Sequence, residues 1–114
     1  MKVGDYVRAL TFGGKVKIAR IKEIEDGYIY LDNKFVVHDV IKSSPNIIDL
    51  IEVGDYINGM KVIDNSSPHY RLVLENIDYN VKKGLRNFYI NKESQIKNIV
   101  TKEEFERMQY KVGE

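Results

Sequence analysis

Between Tyr79 and Tyr89 the chain places Lys82, Lys83 and Arg86 among Tyr79, Phe88 and Tyr89, with no acidic residue. Tyr70 and Arg71 stand a short way upstream. Cations interleaved with aromatic rings suit two kinds of recognition. Bases stack on ring faces while Lys and Arg pair with phosphates, as in proteins that hold nucleotides or single strands. Tyr and Arg are equally the residues that anchor protein interfaces. A third reading needs no ligand: Phe88 and Tyr89 alternate in and out of a small core, and Lys82-Lys83-Gly84 is a solvated turn. The candidate binding residues under the first two readings are Tyr70, Arg71, Lys82, Lys83, Arg86 and Tyr89.

A second basic stretch, Lys15, Lys17, Arg20 and Lys22, is expected on one strand face, with Val16, Ile18 and Ile21 opposite and a bulge at Ala19-Arg20 absorbing the change of phase. It would take an anionic ligand, or would guard a sheet edge against unwanted pairing. Glu23, Glu25 and Asp26 follow at once and neutralise much of it, which favours the edge.

Catalytic chemistry finds little to stand on. His38 and His69 are the only histidines, and no cysteine is present. His38 and Asp39 are adjacent and would point to opposite faces of a strand. No metal site is expected from them. Ser66 and Ser67 lie near His69, but Asn65-Ser66-Ser67-Pro68 reads as a turn and not as a nucleophile beside its base. Glu75 and Asp78 read as a solvated loop. Gly13-Gly14 lacks the lysine-hydroxyl ending of a phosphate loop. The expectation is a protein without enzymatic activity or cofactor.

The elements that must position these residues are mostly strands. Val3–Leu10, Lys15–Ile18, Tyr28–Leu31 and Phe35–Val37 are joined by turns at Gly13-Gly14, Asp26-Gly27 and Asp32-Asn33-Lys34, an antiparallel meander. Ser44-Pro45 fits a helix cap before a turn over 46–51. Asn58-Gly59 is a tight hairpin pair before Met60–Ile63, and strands follow at 70–74 and 85–90 around a turn at Lys83-Gly84. Thr101-Lys102-Glu103-Glu104 is a capping box, with Val100 and Phe105 as its apolar staple, opening a helix over about 102–109. Phe105 and Met108 are expected to face inward, and 110–112 to close as a strand.

Val3-Gly4-Asp5-Tyr6-Val7 returns as Val53-Gly54-Asp55-Tyr56-Ile57, and Val112-Gly113-Glu114 is a third echo. Each half runs from this motif through hairpins to a hydroxyl-capped helical turn. The expectation is a mainly β protein of two tandem small barrels of the Src-homology-3-like type, 1–52 and 53–114, each followed by a short helix. Glycines at positive φ would explain the motif. The alternative is that a convenient turn-strand sequence arose twice. Units of this size are marginal alone and should pack on one another or on a second copy, so a homo-oligomer is expected. A net charge of +1 argues against bulk attraction to nucleic acid, and no apolar run reaches membrane-spanning length.

The stretch from Lys42-Ser43-Ser44-Pro45-Asn46 through Val53-Gly54-Asp55-Tyr56, with the opening Val3-Gly4-Asp5-Tyr6-Val7 and the closing Val100–Glu106 and Tyr110–Glu114, resembles a family of small proteins encoded in bacteriophages and prophages of Gram-positive bacteria. The resemblance implies a genomic context, not catalytic residues. Its stretches are turns, caps and helices, and 8–41 and 58–99 lie outside it. That context implies an accessory binding protein in the cytoplasm of an infected or lysogenic host, acting on a host or phage macromolecule. A nucleotide or single-stranded nucleic-acid binder, for example a counter-defence protein that sequesters a nucleotide signal, and a structural component of the virion are the alternatives.

Overall fold

The computed structural model describes residues 1–66, 71–75 and 88–112, the last five by backbone alone. The fold is mainly β. Strands β1 (Tyr6–Thr11), β2 (Val16–Glu25), β3 (Tyr28–Leu31) and β4 (Val36–Ser44) close into a four-stranded antiparallel barrel. A 3-10 turn over Ile47–Leu50 leads to a second sheet of β5 (Tyr56–Ile57), β6 (Met60–Asp64), β7 (Leu72–Leu74), β8 (Phe88–Ile90) and β9 (Ile99–Val100), in the order β8-β7-β6-β5-β9. A second 3-10 turn covers Glu93–Gln95, and the chain's one α-helix among the described residues is α1 (Lys102–Val112). No helix of the described residues is long and apolar enough to cross a membrane.

The meander forms as its turns dictate. Asp26 and Gly27 both have positive φ, as do Asn58 and Gly59, the signature of the two-residue turn that matches strand twist. Inside the barrel Val7, Ala9, Ala19, Ile21, Leu31 and Val37 pack together. Small Ala9 and Ala19 face each other across β1 and β2, two residues apart in register, and let four strands close tightly.

Alternation on β2 runs unbroken from Val16 to Ile21, in register with β1 as far as Arg20. The expected bulge at Ala19-Arg20 is therefore absent; the irregularity falls between Ile21 and Glu23, in the pairing with β3. This splits the basic stretch. Arg20 donates through Nε to Gly4 O, whereas Lys17 is bonded to Glu104 and lies over the Phe35 ring. Ile18, expected beside Ile21, packs instead on the core of the second sheet.

That second core gathers Ile57, Val62, Leu72, Leu74 and Ile90 with Ile47, Ile48 and Ile51 from the connecting turn. The turn is capped by Asn46, whose side chain accepts from Ile48 N, and not by Ser44, which ends β4. Helix α1 keeps half of the expected capping box: Thr101 Oγ1 accepts from Glu104 N at 3.3 Å. The Glu104 carboxylate does not reach back, because Lys17 holds it at 2.8 Å. Thr101 also donates to Val16 O, so the helix start is fixed to β2. Phe105 stacks on Tyr56 with ring centroids 4.1 Å apart, while the Met108 side chain lies outside the described residues. The strand expected over 110–112 is the helix's last turn.

The repeated motif builds the same loop twice. Asp5 N donates to Lys2 O and Asp55 N to Glu52 O, with Gly4 at φ +96° and Gly54 at φ +102° as the third residue of each turn. Each aspartate accepts from the amide that opens its turn, Lys2 N at 3.1 Å and Glu52 N at 2.8 Å. Each glycine N–H reaches the neighbouring strand, at Ile21 O and Val62 O, and Ile21 N and Val62 N return to Asp5 O and Asp55 O.

The second copy carries an extra duty. Arg8 stands between Val7 and Ala9 on β1, so its side chain points out of the barrel, where the second half covers it completely. It pairs with buried Asp55 through Nη1 at 2.6 Å and Nη2 at 3.0 Å, and donates to Leu50 O and Glu103. Arg8 Nε lies 3.2 Å from Glu52 Oε2, close enough for attraction but misaligned for a hydrogen bond. Burial alone would push the guanidinium pKa down; the bonds to Asp55 and the surrounding carboxylates outweigh it and hold it above its ordinary value. Asp55 also accepts from Lys102 N, so one carboxylate joins β1, the Gly54 loop and the start of α1.

Tyr6 makes a further tie between the halves, donating its hydroxyl to Glu93. This bond, with burial and the carboxylate's charge, raises the phenol's pKa. The folded protein then holds the phenolic proton more tightly than the unfolded chain does. The stability this contributes is complete below the ordinary tyrosine value and is lost as pH climbs through the raised one, above about pH 10. In urea melts on the alkaline side, Tyr6→Phe should decline less with pH than the native protein. Parallel decline of the two would remove Tyr6 from the linkage.

Candidate functional site

Two of the six candidate binding residues are described, and strand pairing brings them to one face. Val73 pairs with Tyr89 and Leu72 with Ile90. Leu72, Leu74 and Ile90 point into the core. Arg71, Val73 and Tyr89 therefore share the outer face of the β7–β8 pair, Arg71 one step along the diagonal from Tyr89. Phe88 and Tyr89 do alternate in direction, Phe88 on the side of Leu74 and Tyr89 on that of Val73, but at 48% and 46% exposure neither ring is buried in the core. Ile90 takes the buried place because the register with Leu72 points it inward. Tyr70, Lys82, Lys83 and Arg86 lie outside the described residues, as do the Lys83-Gly84 turn, Ser67, His69 and Asp78.

Arg71 borders an open, mainly polar depression of about 450 Å³ where the two halves meet. Lys42, Ser43 and Ser44 of β4 line it together with Asp49, Asn65 and Arg71. Asp49 organises it: its carboxylate accepts from Arg71 and from Ser44, and its carbonyl accepts from Lys42 Nζ at 2.8 Å. Two cations and two hydroxyls can hold an anion here. Asp49 already supplies one negative charge, and its pair with Arg71 is solvent-exposed, worth only about 0–1 kcal/mol. An incoming acidic group would displace it at little cost.

Among the described residues no group of His, Asp and Glu is arranged to hold a metal ion. His38 lies on β4 beside aromatic rings and not beside a carboxylate ligand set. Comparison with protein-family models, with curated proteins and with solved structures brings no match.

Sequence reasoning overlooked two features. Arg8 is the only charge between Tyr6 and Gly14, and that isolation within an apolar strand was the available sign of a buried cation. The ring cluster of Phe12, Tyr28 and His38 gave no sign, because its members are ten or more residues apart in sequence and meet only through barrel closure.

Proposed function

We propose that the chain is a non-enzymatic accessory protein of a bacteriophage or prophage that works by gripping a host or phage macromolecule. The recognition face is the outer side of β7–β8 around Arg71 and Tyr89; Tyr70, Lys82, Lys83 and Arg86 are named as further binding residues from the sequence alone. The observation that carries this reading is the half-exposed Tyr89 ring on the outer face of the strand pair, across from Val73 and diagonal to Arg71, beside a buried Ile90. A strand that buries Ile90 and offers Tyr89 to solvent on the opposite face suits an interface anchor. The scaffold is read as two copies of one Src-homology-3-like unit, 1–52 and 53–114. Support for that lies in the matched hydrogen bonds of the Gly4 and Gly54 loops. The genomic context rests on the resemblance of the motif, cap and helix stretches.

A second reading, a nucleotide or single-strand binder, draws on the polar depression beside Arg71, with Lys42, Ser43 and Ser44 placed for phosphate oxygens. Affinity purification from phage-infected host cells separates the two. Native protein should retain a specific protein partner. Arg71→Ala with Tyr89→Ala, and separately Lys83→Ala with Arg86→Ala, should lose it while melting within a few degrees of the native protein. Retention of nucleotide or nucleic acid, with steep loss of affinity in salt, would favour the second reading. Undiminished capture by both double variants would overturn the assigned face.

A further inference from the structure

At the barrel end, away from β7–β8, three rings stand together in solvent. Phe12 follows β1 and is 59% exposed; Tyr28 opens β3 and is 50% exposed. Their centroids are 6.2 Å apart, and Phe12 meets His38 edge to face at 5.0 Å. The gathering is built into the sheet. β4 pairs with β1 as Leu10 with Asp39 and Thr11 with Val37, leaving His38 as the extra residue of a bulge. That bulge turns the imidazole toward Phe12. Continuing the β3–β4 register from Ile29 and Val37 sets Tyr28 across from His38. Neither the Tyr28 hydroxyl nor the His38 ring has a hydrogen-bond partner among the described residues.

The charge around the rings has one predominant sign. Glu25 is the direct cross-strand partner of Tyr28, and Asp26 occupies the turn between them. Asp39 pairs with Leu10 beside the His38 bulge. All three acids are exposed. None has a salt-bridge partner among the described residues, whereas Lys17, Arg8 and Arg71 are each committed to an acid elsewhere. Two cations stand at the neighbouring hairpin: Lys15, beyond the Gly13-Gly14 tip, and Arg107 of α1, which donates to Gly14 O. Ring faces attract cations through their quadrupoles, and unpaired carboxylates at the rim add attraction and direction.

We infer that Phe12, Tyr28 and His38 form a docking face for a basic peptide segment, which lays a Lys or Arg side chain over the rings and pairs it with Glu25, Asp26 and Asp39. The face is separate from that of Arg71 and Tyr89 and takes the opposite charge. A protein with both joins a basic segment at one end to its partner at the other.

The test uses two labelled peptides, one of alternating Arg and Gly and one of alternating Glu and Gly, followed by fluorescence anisotropy. The native protein should bind the Arg peptide and ignore the Glu peptide. Phe12→Leu with Tyr28→Leu keeps apolar bulk while removing ring faces, and should weaken binding by about tenfold. Glu25→Gln with Asp39→Asn should weaken it comparably and flatten its dependence on salt. Arg71→Ala with Tyr89→Ala should bind the Arg peptide like the native protein, so failure of the β7–β8 reading leaves this result intact. Full binding by the leucine variant would reduce the effect to charge attraction and overturn the inference. So would equal binding of the two peptides, no binding of either, or preference for a single-stranded oligonucleotide over the Arg peptide.

Discussion

Asp55→Ala is expected to lower folding stability by about 3–5 kcal/mol, the range seen when one partner is removed from a buried ion pair. The reason is what remains. Arg8 stays covered, its bidentate acceptor gone. Glu103 and Glu52 still attract it, but both are partly in solvent. Glu52 N and Lys102 N lose their acceptor as well, which loosens the Gly54 loop and the start of α1 together. Typical total stability is about 5–15 kcal/mol, so this variant should be near the limit of folding at 37 °C. The double change Arg8→Met with Asp55→Leu should recover much of the loss, since the stranded charge is removed. The two amides would still lack an acceptor, so recovery stays incomplete. Urea unfolding of the single and double variants measures both claims. A single variant within about 1 kcal/mol of native would show that the pair does not hold the halves together.

The second large effect is expected from Gly4→Val combined with Gly54→Val. Each glycine sits at a φ that side-chain-bearing residues rarely adopt, and β-branched Val is least suited to it. An imposed outlier costs about 1–3 kcal/mol, so the pair should cost about 2–6 kcal/mol. Space is not the cause. A Cβ on Gly54 would meet Lys102 side-chain carbons at 3.4 and 3.5 Å, and one on Gly4 only an Arg20 nitrogen at 4.0 Å. Gly→Asn at the same positions should therefore cost clearly less, because Asn tolerates positive φ. Thermal melting of the four single and two double variants checks the ranking. Equal losses for Val and Asn would point to a crowding effect, and no loss at all would deprive the repeated loop of structural meaning.

The hairpins of both halves were legible because their turns carry their own instructions. Asp26-Gly27 and Asn58-Gly59 fix hairpins by backbone conformation alone, and Gly4 and Gly54 take the positive φ that the repeat suggested. What escaped was everything set by the contact of one half with the other. On β2, the pattern of Val16, Ile18 and Ile21 looked like a phase slip because both faces of the strand are covered: Ile21 by the barrel interior, Ile18 by the second core. Period-2 reasoning assumes one wet face. Arg8 escaped for the same reason. Glu104 was assigned to the capping box because its natural partner, Lys17, is 87 residues away in sequence. Of the candidate site, Arg71 and Tyr89 could be named from composition. That they share a face depends on the pairing of Val73 with Tyr89, which no spacing in the sequence states.

Hydroxyl-radical footprinting of the complex with the retained macromolecule tests the functional account most directly. Rings react when solvent reaches them, and Phe88 and Tyr89 are about half exposed. Protection of Tyr89 on complex formation, with buried Val62 and Leu74 unreactive in both states, is the predicted result. Unchanged reactivity of Tyr89, with protection confined to another surface, would contradict the assignment of recognition to the outer face of β7–β8.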